Sequence, residues 1–316
     1  MKLMRGMLIA LTPATLFALY AFQLQAFLIL VVSISAAVGS EALYQYIFKK
    51  PLRIKDGSAV VTGLLLGLSV SPSLPLYAVA AGAVVGIVVG KQLFGGFGKN
   101  IFNPALFGRL FIIYAFPGQM SPWIMPVVGV TSATPLRHFR DSGEFPMLFD
   151  LFLGNVPGSL GEMSALLLLP GAAYLLYKKY ANWRVPLSCV AAVALFSFLA
   201  GQSPLMHIFS GSLILGAFFM ATDPVTSPKT DSGRYIFGAG VGGGIMAMRF
   251  WGWLPEGTTF AILGMNALVP LINRYTKKKK LKQEEPKEVK TQMQQETAGD
   301  VKTNGTTAQS TQEVDS

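Results

Sequence analysis

Gly57-Ser58-Ala59-Val60-Val61-Thr62-Gly63-Leu64-Leu65-Leu66-Gly67-Leu68-Ser69-Val70 is an uncharged apolar run that stops at Ser71-Pro72-Ser73-Leu74-Pro75. It falls short of the ~20 residues of a straight bilayer span. The two prolines behind it break a helix. A short helix ending at membrane depth is tolerated only where protein or a cavity covers its open backbone. The stretch therefore predicts a half-helix inside a membrane bundle. Gly63 and Gly67 permit close approach of a second helix, and would equally let a flat ring lie against backbone.

The surrounding chain has the same character. Of 316 residues 52% are hydrophobic and 13% charged, and the mean hydropathy is +0.48. Soluble proteins carry about 25% charged residues. We count about ten apolar segments, near 7–22, 26–48, 57–70, 76–90, 101–118, 162–178, 185–202, 205–221, 235–251 and 258–273. The expected class is an all-α polytopic membrane protein with about ten transmembrane helices, some of them broken. Residues 1–276 form the membrane domain, with a long loop at 119–161. Residues 277–316 are rich in Lys, Glu, Gln and Thr, cannot bury a core, and read as a disordered tail. Lys277 to Lys280 read as a stop-transfer cluster ahead of a dispensable tail, or would lie against lipid headgroups.

The net charge of +10 lies in short clusters between apolar runs, so membrane topology accounts for it and no nucleic-acid partner is expected. With the N-terminus in the cytoplasm, Lys49, Lys50, Arg53 and Lys55, then Lys91 and Lys99, Lys178, Lys179 and Arg184, and Lys229 and Arg234 all fall inside. Both termini are then cytoplasmic and loop 119–161 is outside. Five segments precede that loop and five follow it, which suits two inverted halves. Gly98-Lys99-Asn100-Ile101-Phe102 can be set beside Gly233-Arg234-Tyr235-Ile236-Phe237, although a Gly-rich chain offers such matches by chance. A single cysteine, Cys189, excludes an intramolecular disulfide and a cysteine-ligated cluster within the chain. With His138 and His207 the only histidines, no metal site is expected. No cleavable signal peptide is expected either.

Four stretches bear chemistry. Gly129-Val130-Thr131-Ser132-Ala133-Thr134-Pro135-Leu136 places three hydroxyls in a turn, and Pro135 biases Thr134 to an extended conformation with its side chain outward. His138, Arg137 and Arg140 follow closely and would suit a phosphate, or be plain loop charges. In Gly95-Gly96-Phe97-Gly98-Lys99-Asn100-Ile101-Phe102-Asn103-Pro104 the glycines precede a helix and would free N–H groups for a ligand. Asn100 and Asn103, three apart, would share a helix face and match a ring edge that both donates and accepts. A helix cap at Asn100 is the alternative. In Ala221-Thr222-Asp223-Pro224-Val225-Thr226-Ser227-Pro228, Asp223 is a carboxylate at the membrane edge, either closing an Asx turn or pairing with Lys229 or Arg234. Pro255-Glu256-Gly257 and Asn266 mark the last segment, with Glu256 as a cap. Arg109 must snorkel or pair inside the bundle.

Together, Thr-Ser-Ala-Thr-Pro-Leu, the Gly-rich Asn-x-x-Asn-Pro stretch and Ala-Thr-Asp-Pro-Val-Thr-Ser-Pro with the following Gly-Arg-x-Ile-Phe-Gly resemble the RnfD/NqrB family. These are membrane subunits of ion-pumping redox complexes. The resemblance covers nearly residues 1–276 and is stronger toward the RnfD branch, which belongs to Rnf ferredoxin:NAD oxidoreductase complexes, because NqrB is longer at its N-terminus. It implies a urea- or ammonium-channel-like fold with covalent FMN on Thr134 through a phosphoester. Thr131 and Ser132 would lie beside that FMN, and a second, non-covalent flavin such as riboflavin near Asn100, Asn103 and Asp223. It further implies Na+ or H+ translocation, other Rnf subunits as partners (above all the second covalent-FMN subunit), a flavin transferase for maturation, and a prokaryotic plasma membrane. The family's attachment site often carries Asp three positions before its first hydroxyl. Here that position is Val128, which implies altered recognition by the transferase. Two other classes remain open: a small-solute channel or transporter without flavin, and a structural scaffold.

Overall fold

The computed structural model describes residues 2–120, 122–252 and 257–277. Glu256 and the tail beyond Lys277 lie outside the described residues. The chain is mostly helical. It begins with α1 (Lys2–Ile47), two helices that meet at Gln23, whose φ of 47° and ψ of −122° are not helical. That point falls between the apolar segments 7–22 and 26–48. Then come α2 (Ser58–Leu68), α3 (Leu76–Ile87) continuing into a π-helical stretch Val88–Gln92, α4 (Pro104–Ala115) and α5 (Pro117–Met120). The long loop holds β1 (Trp123–Ile124), β2 (Thr131–Ser132), α6 (Pro135–Ser142) and α7 (Leu148–Leu153). The remainder is α8 (Ala165–Tyr177), α9 (Arg184–Leu199), α10 (Pro204–Phe209), α11 (Leu213–Leu215) with a second π stretch Gly216–Met220, α12 (Asp231–Trp251) and α13 (258–277).

The expected all-α class needs one correction. Strands β1 and β2 form an antiparallel ribbon, Trp123 opposite Ser132 and Ile124 opposite Thr131. Among the described residues α1 is the one helix long and apolar enough, by length and composition, to cross a bilayer. The shorter apolar helices include Ser58–Leu68, Pro104–Ala115, Ala165–Tyr177 and Arg184–Leu199. Segment 205–221 is not continuous: it breaks at Ser210-Gly211-Ser212, where Gly211 takes a φ of 65°.

Helix α2 ends where its sequence requires, before the proline pair. Its open carbonyls are taken up by the chain entering α8: Gly161 N donates to Leu68 O at 2.7 Å and Leu160 N to Val70 O at 3.1 Å. A half-helix from the first half is thus closed by backbone from the second. Along its side, a Cβ on Gly63 would stand 2.7 Å from Ile34 Cα, and Ser33 Oγ donates to Gly63 O at 2.7 Å. The helices approach closely because position 63 has no side chain. Gly63→Ala is therefore expected to destabilise by about 1–3 kcal/mol, as other overpacking changes do. Gly39→Ala, whose Cβ meets nothing within 4 Å, serves as the control. Thermal unfolding in detergent reads both.

The two Gly-Arg/Lys stretches set side by side in the sequence are not equivalent. Residues 98–102 form the loop before α4, whereas 233–237 lie inside α12. What the two halves do share is a π stretch followed by a capped helix: Val88–Gln92 before α4, capped by Asn103, and Gly216–Met220 before α12, capped by Thr230. Insertions of this kind into a helix recur at functional sites.

Helix α2 also sets the polarity of the bundle. Ser58, at its start, lies with Met4 and Met7 of α1 around one pocket. Leu68, at its end, bonds Gly161, beside a second pocket. The two are separated by the length of α2, ~16 Å at 1.5 Å per residue. The ribbon sits at the second end, where Val127 N donates to Ala21 O at 3.3 Å next to the α1 break. We call the end with the N-terminus of α1 inner and the other outer.

Candidate functional site

At the inner end Asn103 caps α4. Its Oδ1 accepts from Ala105 N at 3.0 Å and Leu106 N at 3.4 Å, and Pro104 takes the first helical position. An Asn before Pro is a strong helix start. The expectation that Asn100 and Asn103 share one helix face is therefore corrected: Asn100 precedes the helix and its Nδ2 donates to Phe102 O at 3.0 Å. Both still line one pocket, with Ser58, Lys91, Phe97 and Asp223 among its other walls. Asn103 also ties the halves of the chain together. Its Nδ2 donates to Met220 O at 3.1 Å, and its N–H donates to Asn266 Oδ1 at 3.2 Å. Asn266 Nδ2 in turn donates to Thr226 O at 3.1 Å. The pocket thus forms where both π stretches end.

The glycine loop does a different job from the one expected. Gly95 N donates to Gln92 O at 3.0 Å and Gly96 N to Lys91 O at 3.1 Å, closing the π stretch. Gly95, Gly96 and Gly98 take φ of 106°, 88° and 90°, a region open to glycine and costly for other residues. Those two N–H groups are consumed by the fold.

Asp223 forms the Asx turn, accepting at Oδ1 from Val225 N at 3.0 Å and at Oδ2 from Thr226 Oγ1 at 3.4 Å. Arg234, one of its two expected partners, bonds Asp231 at 2.9 Å and Pro228 O at 3.1 Å instead. Burial pushes the Asp223 carboxyl above the usual carboxylate range, while its bonds to Val225 and Thr226 and the charge of Lys91 pull it down.

Two residues that sequence reasoning misses dominate this region. Glu41 of α1 and Lys91 of the π stretch are each 1% exposed, with Nζ 2.8 Å from Oε1 and 2.9 Å from Oε2. The charge pattern counts Lys91 among cytoplasmic loop charges. The signal for Glu41 is a lone carboxylate within an apolar run.

The outer pocket contains Thr134. Its backbone is extended as expected, φ −61° and ψ 156°. Its side chain is not outward: Thr134 is 3% exposed and caps α6, Oγ1 accepting from Arg137 N at 3.3 Å. The reason is local, since a Thr before Pro satisfies the open N–H groups of the helix it starts. Pro135, Leu136, Gly158, Glu162, Phe209 and Gly211 contribute to the same pocket. Thr131 and Ser132 are exposed in the ribbon and do not line it. The neighbouring cations are engaged elsewhere. Arg137 pairs with Asp141 at 3.2 Å, and Arg140 donates to Arg249 O at 3.0 Å at the end of α12. His138 Nδ1 lies 2.9 Å from Ser142 Oγ.

Arg109 pairs inside the bundle. It lies six residues beyond Asn103 on α4, donates to Ser212 Oγ at 3.3 Å, and stands 4.0 Å from Glu162 Oε2. Glu162 is also missed by sequence reasoning. Its Oε1 accepts from Ser159 N at 3.0 Å, and it lines the Thr134 pocket. The pair thus reaches the Thr134 pocket through Glu162. Arg109→Met leaves Glu162 without its counter-charge and is expected to cost about 3–5 kcal/mol in unfolding assays. Glu162→Gln in the same chain should recover much of that loss.

The sequence matches the family described as NQR2, RnfD, RnfE over residues 1–282. It is 42% identical over 284 residues to the D subunit of the Na(+)-translocating ferredoxin:NAD(+) oxidoreductase complex of Acetobacterium woodii, covering 88% of this chain and 89% of that protein. It is 39% identical over 296 residues to the D subunit of the proton-translocating ferredoxin:NAD(+) oxidoreductase complex of Clostridium ljungdahlii, covering 87% and 89%. It is 38% identical over 317 residues to the D subunit of an ion-translocating oxidoreductase complex of Stutzerimonas stutzeri, covering 86% and 89%.

Proposed function

The chain belongs to the NQR2, RnfD, RnfE family, and on that premise we propose that it is the D subunit of an ion-translocating ferredoxin:NAD+ oxidoreductase complex. In this reading it is a flavin-carrying electron-transfer subunit, active only with its partner subunits. FMN is esterified to Thr134 at the outer end, and a second flavin occupies the inner pocket. The membrane is the prokaryotic plasma membrane, with the inner end facing the cytoplasm. The short helices make up about ten membrane passes by pairing across breaks.

Fit to the residues supports both positions. The inner pocket has a cavity volume of about 50 Å³, so seating a flat ring there requires its lining side chains to move apart. Met4, Met7, Leu65, Phe97 and Phe219 supply apolar walls for a flat ring, and Asn100, Lys91 and Asp223 supply convergent polar groups. At the outer end Thr134 Oγ1 sits at the N-terminus of α6. A phosphate esterified there gains from the first-turn N–H groups and the helix dipole. Bound flavins would supply the one- and two-electron chemistry; the protein sets their position, environment and access to water.

The observation that carries the reading is the pair of pockets at opposite ends of α2, each containing residues of a family motif. Its test is flavin analysis of the chain purified after co-expression with a flavin transferase. One flavin resistant to denaturation and one released by it are expected. A chain with neither, made beside a transferase active on a control substrate, rejects the redox reading in favour of solute transport.

A further inference from the structure

The geometry points to Lys91, held by Glu41, as the residue that sets the reduction potential of the group in the inner pocket. This rests on the reading that the pocket takes a flavin. Lys91 Nζ bonds both carboxylate oxygens of Glu41 and donates to Ser58 Oγ at 2.6 Å. Glu41 Oε1 also accepts from Gln92 Nε2 at 2.6 Å and from Gln45 Nε2 at 3.3 Å. Lys91, Ser58 and Phe97 line the pocket, whereas Glu41, Gln45 and Gln92 do not. The pair is therefore polarised. Its cation faces the pocket, 5.9 Å from the centre of the Phe97 ring, and its anion is caged behind by two amides.

Such a pair is a poor source of stability. Desolvating two charges consumes most of their attraction, and apolar replacements are often as stable. Within a membrane the cost is higher still, so buried ionisable residues there are presumed functional. Lys91 also stands in a π stretch, which departs from regular α-helical phasing just before the pocket.

An electron added to the bound group without a proton leaves one extra negative charge on it. In a titration a mediator dye supplies that electron. The Lys91 ammonium attracts this charge and so favours the reduced form. The Glu41 carboxylate, farther off, opposes it. A unit charge within ~10 Å at an effective dielectric of ~20 shifts such an equilibrium by more than ten-fold. Ten-fold is about 59 mV for a one-electron couple.

The test is potentiometry of the full chain in lipid nanodiscs, in a Thr134→Ala background so that only non-covalent flavin remains. Bound flavin is quantified first, by extraction. Against the parent, Lys91→Gln is expected to lower the midpoint potential by about 59 mV or more for a one-electron couple. Glu41→Gln is expected to raise it. Glu41→Gln with Lys91→Gln, which leaves no lone buried charge, should fall between the parent and Lys91→Gln. It carries the test if either single variant fails to fold. A role confined to packing would not order the variants by the sign of the charge removed. Flavin retained at the parental potential in Lys91→Gln or in the double variant overturns the inference. A parent with no extractable flavin overturns the reading beneath it.

Discussion

Thr134→Ala is expected to abolish the flavin fluorescence that survives denaturing electrophoresis, and Thr134→Ser to retain it. The hydroxyl is the only group at this position that can carry a phosphoester, so the loss in alanine should be complete. The fold gives a reason why serine suffices. Thr134 Oγ1 caps α6 through Arg137 N, and serine caps a helix at least as well. Alanine removes the cap as well as the nucleophile, at about 1 kcal/mol, too little to unfold the bundle. A melting curve near that of wild type would show that the lost fluorescence is not the loss of the protein. Fluorescence retained by Thr134→Ala would move the attachment to another hydroxyl. The exposed Thr131 and Ser132 are the nearest in sequence. Burial of Thr134 adds a constraint on timing. At 3% exposure its hydroxyl is closed to a second protein. Loading therefore requires the turn between β2 and α6 to leave the pocket, or to be modified before α6 docks. The ribbon permits this, being two residues long on each strand and joined to α6 by Ala133 and Thr134 alone.

How far the sequence speaks for itself depends on the range of the interaction. The half-helix α2 is legible because Pro72 and Pro75 act on their own backbone. The start of α4 falls three residues later than expected because the Gly-rich loop suggests an earlier helix. Asn103-Pro104 is the better local signal. The break in segment 205–221 leaves a local trace too, Ser210-Gly211-Ser212, which mean apolarity hides. Lys91 and Glu41 are another matter. They lie 50 residues apart and meet only when the π stretch packs on α1. Counting lysines for topology assigns Lys91 to the cytoplasmic side without indicating that its ammonium turns inward. Arg109 and Glu162 pose the same difficulty: the cost of an arginine in an apolar segment predicts a partner, but only the closure of α2 by residues 160–161 brings that partner near. Thr134 shows the converse. Pro135 correctly predicts its backbone, yet an extended backbone does not say on which side a side chain falls.

The two asparagines of the inner pocket separate binding from architecture. Asn103→Ala removes a helix cap, at about 1–2 kcal/mol. It also strips Met220 O of its donor at a buried junction between the halves, about 1–3 kcal/mol more. The expected total is about 2–5 kcal/mol, with loss of non-covalent flavin as a consequence of the disturbed junction. Asn100→Ala removes one bond to Phe102 O in a turn and should cost about 1 kcal/mol or less. If Asn100 contacts the flavin, this variant should lose most of the non-covalent flavin while melting near wild type. Asn103→Asp resolves the larger effect further. Aspartate keeps the cap acceptor for Ala105 N and Leu106 N, but replaces the donor facing Met220 O with a second anionic oxygen. An Asn103→Asp as unstable as Asn103→Ala would locate the cost in the contact between the halves, since aspartate retains the cap; a stable Asn103→Asp beside an unstable Asn103→Ala would locate it in the cap. Full flavin content in both Asn100→Ala and Asn103→Ala would remove the inner pocket from the electron path. The motif would then have only its structural meaning: a helix start that also joins the two π stretches.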